Sequence, residues 1–208
     1  MAKLIYFTPT SLDGYIADDG NFDWSVPSEE ALAFINDLHR PIGTYLYGRK
    51  EYETMAVWET PEVFPGVTPA MSDFARIWQA ADKIVYFKSR ETVSAPRTRL
   101  EREFDPQAVR AFKAQSPLDI SVAGPTLAAH AIRAGLVDEY HLLVAPTMLG
   151  RGIRVLPGDV RIRLNLLDER RLSMEWSTFV IRRRPSEEQR VDGQHESIQN
   201  GVRGRVPA

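Results

Sequence analysis

The chain has no cysteine in its 208 residues. That removes disulfides, thiolate metal sites and a thiol nucleophile together, and it fits a reducing compartment, so a cytoplasmic protein is expected. Histidine is scarce, at positions 39, 130, 141 and 195, and shows no H-E-x-x-H spacing; no metal site is expected. No apolar run approaches a membrane span. Leu4-Ile5-Tyr6-Phe7 is far too short, and no signal-peptide cleavage region follows it. Charge of one sign is also missing: 26 Lys and Arg are interspersed with 28 Asp and Glu, for a net charge of -2. Neither a nucleic acid nor a membrane is therefore an expected partner. The serine elbow G-x-S-x-G, the dinucleotide fingerprint G-x-G-x-x-G and a P-loop G-K-[ST] are all absent.

What is present is an ordinary globular composition, 43% apolar, long enough to bury one substantial core. Residues 3–8 read as a strand, and residues 9–27 as a long polar loop. Ser28 caps a helix with Glu29 and Glu30 in its first turn and Ala31, Phe34, Ile35 and Leu38 inward. Thr44–Tyr47 and Lys83–Phe87 read as strands, 49–55 as a short helix and 70–81 as a longer one. Asp105-Pro106 opens another helix. A strand at 119–122 runs into a helix that stops at Gly135, with Leu136 placed to close the cap. Glu139–Pro146 reads as a strand, and 163–172 with 174–182 as a closing antiparallel pair. Helices alternating with strands imply a three-layer α/β/α domain over residues 1–184, around a mixed, mostly parallel sheet. Residues 185–208 lack an apolar period and read as a polar tail, disordered or loosely docked.

Three strand ends carry chemistry. Ala123-Gly124-Pro125-Thr126-Leu127 is a glycine turn into a helix start, where free backbone N–H groups favour an anion. The plain alternative is a ligand-free turn, and local pattern leaves both open. Gly48-Arg49-Lys50 puts two cations at a helix start, where a bound phosphate would remove the conflict with the helix field. Ser89 and Arg90 pair a hydroxyl with a guanidinium after another strand. In open sheets ligands gather outside the carboxyl ends of parallel strands. Asp13 precedes Gly14 in a turn that its carboxylate can stabilise. Trp24 could stack on a planar ring, or simply plug the first helix.

Taken together, Ser11-Leu12-Asp13-Gly14-Tyr15-Ile16-Ala17, Gly48-Arg49-Lys50-Glu51-Tyr52-Glu53, Asp119–Pro125 and Ala134–Gly152 resemble the dihydrofolate reductase fold. Within it they are most similar to the bacterial riboflavin-biosynthesis reductase domain and its stand-alone relatives. The resemblance implies an NADPH site across the sheet. Gly48, Arg49 and Lys50 would lie along the cofactor phosphates and Ser89 and Arg90 near the adenosine ribose phosphate. Ala123 to Leu127 would receive the pyrophosphate, and Ile16 and Ala17 would face the nicotinamide. Glu29 or Glu30 would match the pocket acid of the pteridine-reducing enzymes, with Asp13 holding the nicotinamide-side loop. The implied function is an NADPH-dependent reductase of a small heterocyclic substrate, most like 5-amino-6-(5-phosphoribosylamino)uracil reductase. The alternatives are a dihydrofolate or pteridine reductase and a non-enzymatic nucleotide-binding module. Relatives commonly form homodimers, and the strands at 139–146 and 163–182 are candidates for such an interface. Two positions depart from the family: Glu51 where threonine is common, and Pro125 where a second glycine is common.

Overall fold

Side chains alternate along each strand between two apolar layers, and that alternation organises the molecule. The computed structural model describes residues 1–17, 27–88, 93–172 and 176–184. In β1 (Leu4–Ser11), Leu4 and Tyr6 enter one layer and Ile5 the other. Seven further strands join it: β3 (Ile42–Gly48), β4 (Asp82–Tyr86), β5 (Thr98–Glu101), β6 (Asp119–Ala123), β7 (Glu139–Ala145), β9 (Leu164–Arg171) and β10 (Ser177–Arg183). The eight-stranded sheet has the order β5-β4-β3-β6-β1-β7-β10-β9. Neighbours from β5 to β7 are parallel, and β10 runs antiparallel to both β7 and β9. The sheet is mixed and mostly parallel, as the alternation of elements predicts.

Helices cover both faces. α1 (Glu29–His39), α2 (Arg49–Met55) and α3 (Pro69–Ala80) pack with Ile5, Tyr45, Tyr47 and Val85. α4 (Pro106–Gln115) and α5 (Pro125–Arg133) cover Leu4, Tyr6, Leu46 and Ile120. Right-handed crossovers require this division: β1 to β3 to β4 moves one way along the sheet, and β5 to β6 to β7 returns the other way. Local chemistry sets the helix ends. The side chains of Ser28, Thr68 and Asp105 accept from Ala31 N, Met71 N and Gln107 N. Gly135 takes φ 67°, and Leu136 N bonds back to Ala131 O at 3.0 Å.

Two parts of the sequence reading change. Residues 9–27 are not all loop: β1 continues to Ser11, and β2 (Tyr15–Ala17) pairs with β8 (Ile153–Arg154). The end of β1 reads as loop because it is polar, yet Thr8, Thr10 and Ser11 are buried, and the two threonine hydroxyls donate to local carbonyls. β5 was not anticipated either. It is a four-residue edge strand with a single leucine, which leaves almost no periodic signal.

Candidate active site

β3 and β6 end side by side, with Tyr47 opposite Ala123. Beyond that pair the chain diverges, into α2 on one face and α5 on the other. Such a divergence opens a crevice at the carboxyl edge, the place where open α/β sheets take their ligands. Gly48 and Gly124 form its floor.

Gly124 has φ 85° and stands at the cap position of α5 with no side-chain cap. The first helical bond runs from Ala128 N to Gly124 O at 3.0 Å. The N–H groups of Thr126 and Leu127 are left at the open helix end, while Pro125 has none to offer. A Cβ on Gly124 would lie 3.2 Å from Glu51 Cβ, so both the backbone angle and the space select glycine. At Gly48 an added Cβ would meet only Leu127 Cβ, at 3.8 Å.

Arg49 and Lys50 are exposed at the start of α2. The Arg49 guanidinium lies 5.5 Å from the Phe87 ring centre, so it leans toward the exit of β4. Ser89 and Arg90 follow that exit and lie outside the described residues. A carboxylate here has two ways to avoid a phosphate, to turn away from it or to pair with Arg49 or Lys50. Glu51 does neither. Its carboxylate turns to Gly124, no cation among the described residues pairs with it, and burial pushes its pKa up to about 7.

The opposite rim is tied by Asp13. Ser11 Oγ donates to its carboxylate at 2.6 Å, Leu149 N at 3.1 Å and Gly150 N at 2.6 Å. The Ser11 bond foremost, then the two backbone donors, hold this carboxyl down to about 2. Asp13 is thus a brace between the turn after β1 and the segment before β8, and a poor proton donor. Ile16 and Ala17 sit on β2 above it, Ala17 opposite Ile153.

Neither candidate acid is enclosed. Glu29 is exposed, and its Oε1 accepts from Ala70 N at 3.4 Å, at the start of α3 that Thr68 caps. Glu30 is exposed on the first turn of α1. α1 begins at the same edge as the crevice, but the structure buries no carboxylate there from this helix. Trp24 lies outside the described residues.

Sequence reasoning missed Tyr52. It is buried, and its hydroxyl accepts from Ser94 N at 3.2 Å and Ala95 N at 3.0 Å. It therefore ties α2 to the backbone of residues 94 and 95, and it sits in the same Gly48–Glu53 motif. A groove of about 780 Å³ opens at the other edge of the sheet, beside Arg40, Asp73, Asp82 and Arg97. Its charges pair with each other, Arg40 with Asp73 and Arg97 with Asp82, so it presents no unmet polar group comparable to the crevice.

The RibD C-terminal domain pattern matches residues 2–176. The uncharacterized Bacillus subtilis protein YyaP is 29% identical over 176 residues, which span 79% of this chain and 85% of that protein. A putative riboflavin biosynthesis protein from Shewanella superposes with a TM-score of 0.69 at 20% identity, covering 89% of this chain and all of its own. A Thermotoga maritima diaminohydroxyphosphoribosylaminopyrimidine deaminase/5-amino-6-(5-phosphoribosylamino)uracil reductase superposes with a TM-score of 0.62 at 14% identity. That match covers 88% of this chain and 57% of the Thermotoga chain. No helix among the described residues is long and apolar enough to cross a membrane.

Proposed function

Because the chain belongs to the RibD C-terminal domain family, we propose that it is an NADPH-dependent reductase of a small heterocyclic substrate, most like 5-amino-6-(5-phosphoribosylamino)uracil reductase. The observation that carries this reading is the Gly124 turn. Its positive φ, the lack of room for a side chain and the open amide groups of Thr126 and Leu127 fit a pyrophosphate. Arg49 and Lys50 supply positive charge across the crevice, and Arg90 is expected to add the contact that favours NADPH over NADH. When bound, the cofactor would supply the hydride. The chain's own part is to orient the two rings, through β2 on one rim and the Gly48 and Gly124 turns below. Asp13 holds the β2 rim in place.

Oxidation of NADPH should be followed with a phosphoribosylamino-pyrimidine and with dihydrofolate. Turnover on the pyrimidine alone supports the riboflavin-type assignment, and turnover on dihydrofolate alone replaces it with the pteridine-type one. One observation favours a nucleotide-binding module instead: Glu29 and Glu30, the two acids at the start of α1, are both exposed. Tight NADPH binding without hydride transfer to any substrate of a broad panel would establish that reading.

A further inference from the structure

Among the described residues that line the crevice, Glu51 is the one that opposes a phosphate. It stands on α2 and faces the turn from which the α5 amides point. Its Cβ would be 3.2 Å, and its Oε2 3.7 Å, from a Cβ placed on Gly124. An anion held against this turn would have to share the space with the Glu51 carboxyl. We propose that Glu51 takes part as a neutral acid: the pyrophosphate is accepted only with a proton on the Glu51 carboxyl, which then donates a hydrogen bond to a phosphate oxygen, so that binding draws one proton from solution. This rests on the cofactor reading above and concerns what that site demands of its ligand.

The described residues that pack on Glu51 support it. From its own helix, Arg49 and Lys50 precede it by two and one positions, spacings that do not face each other on a helix. Both are exposed, and Arg49 is drawn toward Phe87. From the β6–α5 turn comes no charged group, only Gly124, Pro125 and the backbone of Thr126 and Leu127. The titratable residues of α5, His130 and Arg133, lie in its last turn. From the sheet, the hydroxyls of Tyr6 and Tyr47 feel the Glu51 charge, and burial keeps both phenols neutral. No cation among the described residues pairs with it, and burial pushes the carboxyl up to about 7. A threonine at this position would offer a phosphate its hydroxyl at any pH. Glu51 offers the equivalent donor only while protonated.

The test is calorimetric titration of NADPH into the wild type, Glu51→Gln and Glu51→Thr from pH 6 to pH 8.5, each in two buffers of different ionisation enthalpy. The wild type should take up close to one proton per site at pH 8, and its affinity should fall roughly tenfold per pH unit above that. The cofactor's own 2′-phosphate, with a second pKa of roughly 6, is fully ionised there and cannot be the source. Both variants should bind with little pH dependence and no uptake, and both should match or exceed the wild type at pH 8. Wild-type binding that is flat with pH and proton-neutral overturns the proposal and leaves the cofactor reading standing. So does a Glu51→Gln protein that keeps the wild-type slope. Absence of NADPH binding in all three proteins at every pH overturns the proposal together with the cofactor reading.

Discussion

Two carboxylates on one edge of this molecule show how little the residue type decides by itself. Asp13 accepts from a hydroxyl and two backbone amides, and is held down to about 2. Glu51 has no donor or cation among the described residues, and burial pushes it up to about 7. Asp13→Asn keeps the shape but loses an acceptor oxygen and the charge. The segment at 147–152 should then loosen, with faster amide hydrogen exchange at Leu149 and Gly150 than in the wild type. Unchanged exchange at those two amides would show that the carboxylate does not hold the segment. Because this pKa lies below the usual carboxylate value, the protection should persist through mild acid and fade only as pH falls toward the folded value. The Asp-Gly pair was legible in the sequence as a turn. Its partners, 136 and 137 positions away, were not, because spacing carries no information about contacts made across a fold. The encounter of Glu51 with Gly124 was hidden for the same reason. The sequence showed both residues and that one sat oddly beside a phosphate turn, but not where its side chain would point.

Elements that carry their own punctuation were the readable ones. α1, α3, α4 and α5 start at a capping residue or a proline, and each shows an apolar stripe. β2, β5 and β8 lack both length and period, and only pairing partners define them. The closing strands divide an expectation about assembly. β7 lies between β1 and β10, and Tyr140, Leu143 and Ala145 are absorbed by the domain's own layers, so it is not free for an interface. β9 is different. It is an outer strand, and Leu166 and Leu167 are 55% and 44% exposed. Its second half, Asp168 to Arg171, carries the charges that blunt an edge, whereas its first half does not. We propose that a second copy covers this half. Sedimentation of the wild type at micromolar concentration should give about twice 23.6 kDa, and Leu166→Glu with Leu167→Glu should return the single-chain mass. A wild type that sediments as one chain would end the dimer proposal.

At the scale of the whole molecule, the two apolar layers are not equally indifferent to pH. The layer under α1 encloses His39 and His141. His39 Nδ1 lies 3.0 Å from the Tyr45 hydroxyl, between the rings of Phe7 and Phe74. Burial foremost, together with the neighbouring His141, pushes His39 down to about 3. Burial lowers His141 as well, against a partial opposing pull from Glu139, which Lys3 and Arg182 already neutralise. In the unfolded chain both imidazoles return to roughly 6.5. Below that value the unfolded state binds protons that the folded state refuses, so stability is full above it and is lost as pH falls. Well below the unfolded value each such histidine contributes a slope approaching about 1.4 kcal/mol per pH unit, and two would double it while both stay neutral. Urea unfolding at pH 7.5, 6.0 and 5.0 should show this decline. His39→Gln keeps a polar group for Tyr45 and cannot titrate, so its stability should fall less steeply by about one histidine's worth, roughly 1.4 kcal/mol per pH unit. Equal slopes for the two proteins between pH 6.0 and 5.0 would show that His39 charges freely in the folded state, and the buried layer would then have to open to water well before the chain unfolds.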